Sequence, residues 1–322
     1  MILLACAIAL DMLVGDPDWL WRRVPHPIVW IGRLIGWVDD VQHRLFRSAS
    51  LQFIAGLWLL LLLAVIALFV WLLIGIVLVI FPAVGWCLEL LIVGVLIAQK
   101  SLADHVNAVA EGLRTGGLEG GRRAVAMIVG RDVERLDESG VAAAAIESCA
   151  ENFSDGVVAP ILWYALLGLP GIVFYKAVNT ADSMIGHRDD LHEWFGKPAA
   201  LLDDALNWPA ARLSAGLVLL VGLFDKAAPS VGLVWQVVCR DARTHRSPNA
   251  GWPEAAFAAH LGIALGGPRV YHDGSVDAPY LNGEGRRVLD EGDIHRAISL
   301  LWRCGFLLLG IVFLGAIVTL FV

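Results

Sequence analysis

Three carboxylates recur at i, i+4 and i+8 in the run Glu147-Ser148-Cys149-Ala150-Glu151-Asn152-Phe153-Ser154-Asp155-Gly156. On a helix this spacing puts Glu147, Glu151 and Asp155 on one face. Like charges so placed repel, and no basic residue in the stretch offsets them. The run also leads straight into an apolar segment starting at Val157, where bare charge is costly. A divalent cation or a cationic ligand group would relieve the repulsion; a solvated helix face is the plain alternative.

A second polar group closes the next apolar segment: Tyr175-Lys176-Ala177-Val178-Asn179-Thr180-Ala181-Asp182, then Ser183-Met184-Ile185-Gly186-His187-Arg188-Asp189-Asp190. Lysine and arginine bind phosphate and carboxylate, while Asn and Asp oxygens suit Mg²⁺. Interfacial snorkelling accounts for Lys176 and Arg188 taken alone, but not for so many polar types together. His187 reads equally as a general base or as an interfacial side chain. Asp203-Asp204, Asn207 and Arg212 add a similar set about one helix later. Two further clusters are Gly15-Asp16-Pro17 with His26-Pro27 and Gly32-Arg33, and His245-Arg246-Ser247-Pro248-Asn249-Ala250-Gly251-Trp252. Ser-Pro-Asn-Ala-Gly is also strong turn chemistry, so a plain loop explains that stretch as well. The chain carries no Gly-x-x-x-x-Gly-Lys-Ser/Thr loop, no Gly-x-Gly-x-x-Gly and no His-Glu-x-x-His, so a nucleotide would have to be held by other means.

The elements that position these residues belong to a bilayer protein. Apolar residues make up 58% of the 322 and charged residues 17%, with mean hydropathy +0.69, well beyond an ordinary soluble domain. The apolar residues fall in long runs. From Phe53 to Ala98 the only charge is Glu89, and one span needs roughly 20 residues, so 53–98 is expected to be a transmembrane hairpin turning between Gly75 and Pro82. Residues 297–322 predict a C-terminal transmembrane helix. Residues 157–238 predict broken membrane segments, interrupted at Gly168-Leu169-Pro170-Gly171 and at Asp225-Lys226-Ala227-Ala228-Pro229. Each is open to reading as one span, a short hairpin or a re-entrant pair, and irregular backbone at that depth needs protein or a watery cavity around it. Residues 99–156 read as an amphipathic cytoplasmic helical segment punctuated by Gly116-Gly117 and Gly120-Gly121, and 239–296 as a cytoplasmic loop region. Gly32/Gly36 and Gly262/Gly266 have the spacing that lets helices approach closely.

Residues 1–14 lack a basic leader and a small-residue cleavage site, and Asp11 interrupts their apolar run. They predict a retained short helix rather than a signal peptide. The five scattered cysteines imply neither a zinc framework nor disulfides. Arginines flank the hairpin on both sides, Arg22 to Arg47 before it and Arg114 to Arg135 after it. The positive-inside rule therefore places both flanks, and the polar clusters with them, on the cytoplasmic face of the plasma membrane. No basic stripe points to nucleic acid. The fold class expected is an all-α, polytopic helical bundle forming one membrane-embedded domain, with amphipathic cytoplasmic helices and re-entrant or broken helices around the site.

The strings "AIESCAENFSD", "DGVVAP", "YKAVNTADSMIGHR", "DDALNWPAARL" and "SPNAGW", together with "GDP", "HPIVWIGRLIG", "GRDVERLD" and "LGGPRVY", occur in consistent order along nearly the whole chain. In these the chain resembles the adenosylcobinamide-phosphate synthase (CobD/CbiB) family of cobalamin biosynthesis. One departure is "GHRDD", where an aromatic is expected before the arginine; this weakens a universal catalytic role for His187. The resemblance implies an ATP-dependent ligase that joins the free propionate carboxylate of (adenosyl)cobyric acid to (R)-1-amino-2-propanol or its O-phosphate. ATP and Mg²⁺ are the implied cofactors. The implied partners are the corrinoid, the aminopropanol, the lipid bilayer, and other enzymes of the pathway or a second copy.

On that reading Glu147, Glu151 and Asp155 take Mg²⁺-nucleotide with Asn179 and Asp182 as further ligands, and Asp182 joins the metal set. Lys176, Arg188 and Arg212 bind phosphate, Asn152 and Asn249 contact the nucleotide, and His187 or a carboxylate accepts the amine proton. Rival readings are a Mg²⁺-dependent intramembrane prenyl- or phosphotransferase and a non-catalytic corrinoid transporter or scaffold.

Overall fold

The computed structural model describes residues 1–130, 132–187, 192–271, 274–276 and 278–321. In chain order its helices are α1 (Ile2–Val14), α2 (Asp18–Trp21), α3 (Pro27–Leu45), α4 (Ala49–Ile80), α5 (Pro82–Leu96), α6 (Gln99–Val125), α7 (Glu138–Phe153), α8 (Ala159–Ile185), α9 (Lys197–Gly222), α10 (Val231–Asp241), α11 (Gly251–Leu261) and α12 (Glu291–Phe321). A π-helical turn, Ser154–Val158, joins α7 to α8. Two short antiparallel ribbons, β1 (Leu265–Gly266) with β4 (Tyr280–Leu281) and β2 (Arg269–Tyr271) with β3 (Gly274–Val276), are the only strands among the described residues. Among the described residues, five helical stretches are long and apolar enough to cross a membrane: Ala49–Ile80, Pro82–Val125, Glu138–Ile185, Lys197–Gly222 and Glu291–Thr319. The protein is a multi-pass membrane helical bundle.

The chain divides into two compact units, Met1–Ala98 with Ala159–Asn207, and Gln99–Val158 with Trp208–Val322.

In the first unit, α4 shows how the apolar excess is used. Its 32 residues extend about 48 Å, more than the ~30 Å hydrocarbon layer. Ala55, Leu59, Leu63 and Ala67 recur every fourth residue and are buried, whereas Trp58, Val65, Phe69, Leu72 and Val79 on the other faces are exposed. An exposed apolar face this long is suited to lipid rather than water. The buried stripe packs with Ile35 of α3, with Ala177, Ala181 and Ile185 of α8, and with Phe195 and Ala199. Ser48 caps α4 by accepting from the Leu51 N–H, and His26 Nδ1 caps α3 by accepting from the Ile28 N–H at 3.2 Å. The hairpin turns at Phe81, between α4 and α5, at the edge of the interval expected for it. Gly32 and Gly36 do make the close approach expected of them: the Met184 side chain of α8 lies over both.

The ambiguity at Gly168 resolves as a helical reversal. Gly168 takes φ 67°, ψ −153°, a combination essentially confined to glycine, and Pro170 opens the returning arm. A methyl group on Gly171 would collide with the carbonyl oxygen of Trp163. Eight residues along a straight helix lie about 12 Å apart, so this contact requires residues 159–167 and 169–185 to double back on each other. Gly171→Ala is therefore expected to lower the melting temperature in detergent, at a cost of about 1–3 kcal/mol for overpacking. An unchanged melting curve would mean that the two arms are not held in contact.

The second unit repeats the device. Gly117 (φ 56°, ψ −154°) reverses α6, and Gly112 and Gly120 meet backbone to backbone, as the Gly-Gly pairs led one to expect. α6, α7 and α12 pack on one another, and α11 is buried at every residue but Trp252. Gly262 and Gly266 are not a helix-packing pair. Gly262 ends α11 in the left-handed conformation and Gly266 lies in β1 at φ 74°, so both glycines serve turns. The chain break between α9 and α10 falls where expected, and its Asp225 pairs with Arg303 of α12. Hydrogen bonds from Arg303 and from the Ala227 N–H hold the Asp225 carboxyl below its usual range. All five cysteines are free.

Candidate functional site

The first unit places its polar residues by matched helical spacing. Tyr175 and Asn179 are one turn apart on α8, and Asp203 and Asn207 are one turn apart on α9. The two pairs face each other. Tyr175 Oη donates to Asn207 Oδ1 at 2.8 Å, Asn207 Nδ2 donates to Asp203 Oδ2 at 2.9 Å, and Asn179 Nδ2 donates to Asp203 Oδ1 at 3.2 Å. Tyr175, Asp203 and Asn207 are buried. Both oxygens of one carboxyl group are thus used, and the polar chain locks α8 to α9 at the level where α8 carries its remaining functional types.

One turn on, Asp182 is half-buried, and Gly186 sits so close to it that a methyl there would strike the carboxylate. Lys176 is half-buried on the same helix. His187 is exposed and lines a cleft of about 260 Å³ together with His192, Glu193, Lys197 and Asp204. Lys197 Nζ also lies 4.8 Å from the centre of the Trp194 ring. This cleft gathers two imidazoles, two carboxylates and an amine, which is a surface able to bind anionic oxygens and to accept or return a proton. Arg188 lies outside the described residues.

His192, Glu193 and Lys197 were not read as site residues from the sequence. The signal is there in "HEWFGKP", a stretch that begins ten residues after Asp182, but it reads locally as a connector between helices.

In the second unit the acidic run has two characters. Glu147 is buried, and one of its carboxylate oxygens accepts from the Gly266 N–H at 2.7 Å. This carboxylate therefore pins the glycine turn of β1. Glu151 is exposed and Asp155 half-buried. Regular α-helix ends at Phe153, so the i, i+4, i+8 face does not continue unbroken to Asp155, which stands in the π-helical turn. Such turns are frequent at functional sites. Asn152 Nδ2 donates to the Ser148 carbonyl and hydroxyl, and Ser148 Oγ donates to the Ile128 carbonyl.

Arg212 is held on every side. Its guanidinium lies 4.5 Å from the ring centres of both Trp208 and Trp252, and it donates to the Trp208 carbonyl, Asn249 Oδ1 and the Pro248 carbonyl at 3.0, 2.9 and 3.2 Å. Ser247 Oγ accepts from the Asn249 and Ala250 N–H groups and closes the loop. These contacts join α9 to the turn that carries Asn249. On α11, burial pushes the His260 imidazole below its usual range, although Asp225 nearby acts against the shift.

A family model described as CobD/Cbib protein matches residues 4–301. The chain belongs to the CobD/Cbib family. It is 50% identical over 306 residues to the cobalamin biosynthesis protein CobD of Sinorhizobium fredii, covering 94% of this chain and 92% of that one. It is 47% identical over 322 residues to the protein of the same name from Brucella suis, covering 100% and 98%. With the CobD of Rhodobacter capsulatus it shares 46% over 291 residues, covering 87% and 86%. No solved structure matches it. The CobD/Cbib match encloses both polar groupings, the α8–α9 cluster with its cleft and the Glu147–Gly266 and Arg212–Asn249 clusters.

Proposed function

We propose that this chain acts in cobalamin biosynthesis as a membrane-bound ligase, forming the amide between the free propionate of (adenosyl)cobyric acid and (R)-1-amino-2-propanol or its O-phosphate at the expense of ATP. The observation that carries this reading is the match to proteins named for cobalamin biosynthesis along essentially their full length.

In the reaction proposed, a propionate oxygen takes the terminal phosphoryl group and ADP leaves. The amine nitrogen then attacks the acyl carbon, the C–O bond to phosphate breaks, and the nitrogen gives up its proton. Lys176, Lys197 and Arg188 are the cations assigned to phosphate oxygens, with charge rather than shape as their contribution. His187 or Asp182, beside and at the cleft, is assigned the amine proton.

The oxygen donors suit Mg²⁺, and Glu151 and Asp155 are the carboxylates proposed to take it. Glu147 fits less well, having one oxygen engaged by Gly266. Bound Mg²⁺ would neutralise charge on the phosphates. The site is proposed to face the cytoplasm. Single cysteines placed beside Arg44 and beside Arg114 are then expected to be labelled from the cytoplasmic side, and labelling of either from the other side would reverse that assignment.

A strain lacking this chain is expected to make cobalamin from supplied cobinamide but not from supplied cobyric acid. Growth on both precursors alike would place the chain outside this step.

A further inference from the structure

At the edge of the cleft, α3 carries Asp39 and His43 one turn apart, and His192 comes to meet them at the start of the segment leading into α9. Asp39 Oδ1 lies 3.1 Å from His43 Nε2, and Asp39 Oδ2 lies 3.2 Å from His192 Nε2. The two imidazole rings stand edge to face with centres 5.7 Å apart. One ligand atom from each residue can be chosen so that all lie within 4.8 Å of one another, and all three residues are half-buried.

A hydrogen-bonded His-Asp-His group would have each Nε2–H pointing at a carboxylate oxygen. That arrangement serves for His192. It does not serve for His43, whose Nε2 is buried and has no hydrogen-bond partner among the described residues despite its nearness to Asp39. The nitrogen approaches the oxygen without aiming a proton at it, as two ligands of one ion do. Tetrahedral Zn²⁺ with bonds of about 2.0–2.1 Å sets its ligand atoms roughly 3.3 Å apart; Asp39 Oδ1 and His43 Nε2 already stand at that spacing, and the set of three, within 4.8 Å, needs only a modest approach of His192 to close on an ion. Gln42, itself buried, donates from Nε2 to Asp39 Oδ1 at 3.2 Å and so orients the carboxylate, as outer partners of metal ligands do.

We infer that Asp39, His43 and His192 form a binding site for a Zn²⁺-class divalent ion, with three protein ligands and one coordination position left to a water or an anionic oxygen. Two imidazoles and a carboxylate favour Zn²⁺ or a similar transition ion over Mg²⁺, so this site is distinct from the Mg²⁺ requirement of the proposed reaction and does not rest on it. The ion ties α3 to the segment that forms one wall of the polar cleft. Because His192 also lines that cleft, the ion would stand at its edge, where its open position could take a phosphate or carboxylate oxygen.

The test is zinc binding by the full-length protein in detergent, stripped with a chelator and titrated with Zn²⁺ against a chromophoric competitor, without corrinoid or ATP. The expected result is one equivalent bound tightly per chain. His43→Gln and His192→Gln are each expected to weaken it at least tenfold, and Lys197→Met, which leaves the three ligands in place, to leave it unchanged. Failure of the native protein to bind one equivalent overturns the inference whatever the variants do. Binding that survives both histidine changes overturns it too, since the ion would then sit elsewhere.

Discussion

Asp203→Ala is expected to lower the unfolding free energy by roughly 2–5 kcal/mol and to abolish amide formation. The carboxyl group is buried, and both of its oxygens accept from side-chain amides, Asn179 on α8 and Asn207 on α9. Alanine leaves the buried Asn207 amide without that acceptor, at about 1–3 kcal/mol, and takes a second bond from the half-buried Asn179. The loss would spread to Tyr175, whose hydroxyl donates to the oxygen of the same Asn207 amide. Loosening α8 against α9 would move Asp182 and the cleft walls, and small misplacements of reacting groups are costly in rate. Asp203→Asn keeps one acceptor oxygen but turns an NH₂ toward a donor, so it is expected to fall between alanine and the native protein in melting temperature. Both variants melting like the native protein would mean that the polar chain does not hold the two helices together.

Arg212→Ala is expected to cost about 2–4 kcal/mol, from two lost cation–π contacts and a set of charge-assisted hydrogen bonds. Arg212→Lys should restore little of it. An ammonium can neither stack flat between Trp208 and Trp252 nor reach Trp208, Pro248 and Asn249 together as the planar fork does. The measurement is the melting temperature in detergent, followed by tryptophan fluorescence, with proteolysis of the 245–250 loop as a second readout. Turnover should fall only in proportion to the folded fraction. A variant that melts normally yet makes no product would support the phosphate-binding role expected from sequence.

How far the sequence could be read depended on whether the information was local. The apolar runs identified α4, α5 and α12 because lipid demands long uninterrupted apolar helices whatever they pack against. Gly117 and the Gly168-Leu169-Pro170-Gly171 string were legible as breaks, since glycine and proline act on the backbone where they stand. That both breaks are tight reversals needed the contacts of Gly112 and Gly171 with distant turns. The residue types in the polar clusters were also plain.

Partnerships were not legible. Glu147 meets Gly266 across 119 residues and Tyr175 meets Asn207 across 32, and nothing in either local pattern announces the other. The carboxylate stripe looks unbalanced in sequence partly because one donor that meets it, the Gly266 backbone N–H, has no side chain to be read. Asp39 and His43, one turn apart on α3, carry no local sign of His192, which stands beside them from more than 140 residues away.

The central claim, that this chain forms an amide on a corrinoid, is tested most directly by mass spectrometry of the purified protein incubated with cobyric acid, ATP, Mg²⁺ and either (R)-1-amino-2-propanol or its O-phosphate. The expected result is a corrinoid product heavier by the amine less one water, with ADP and phosphate released in equal amount and nothing formed when ATP or amine is left out. Cobyric acid bound but recovered unchanged, or turnover of an isoprenoid diphosphate in its place, would contradict it.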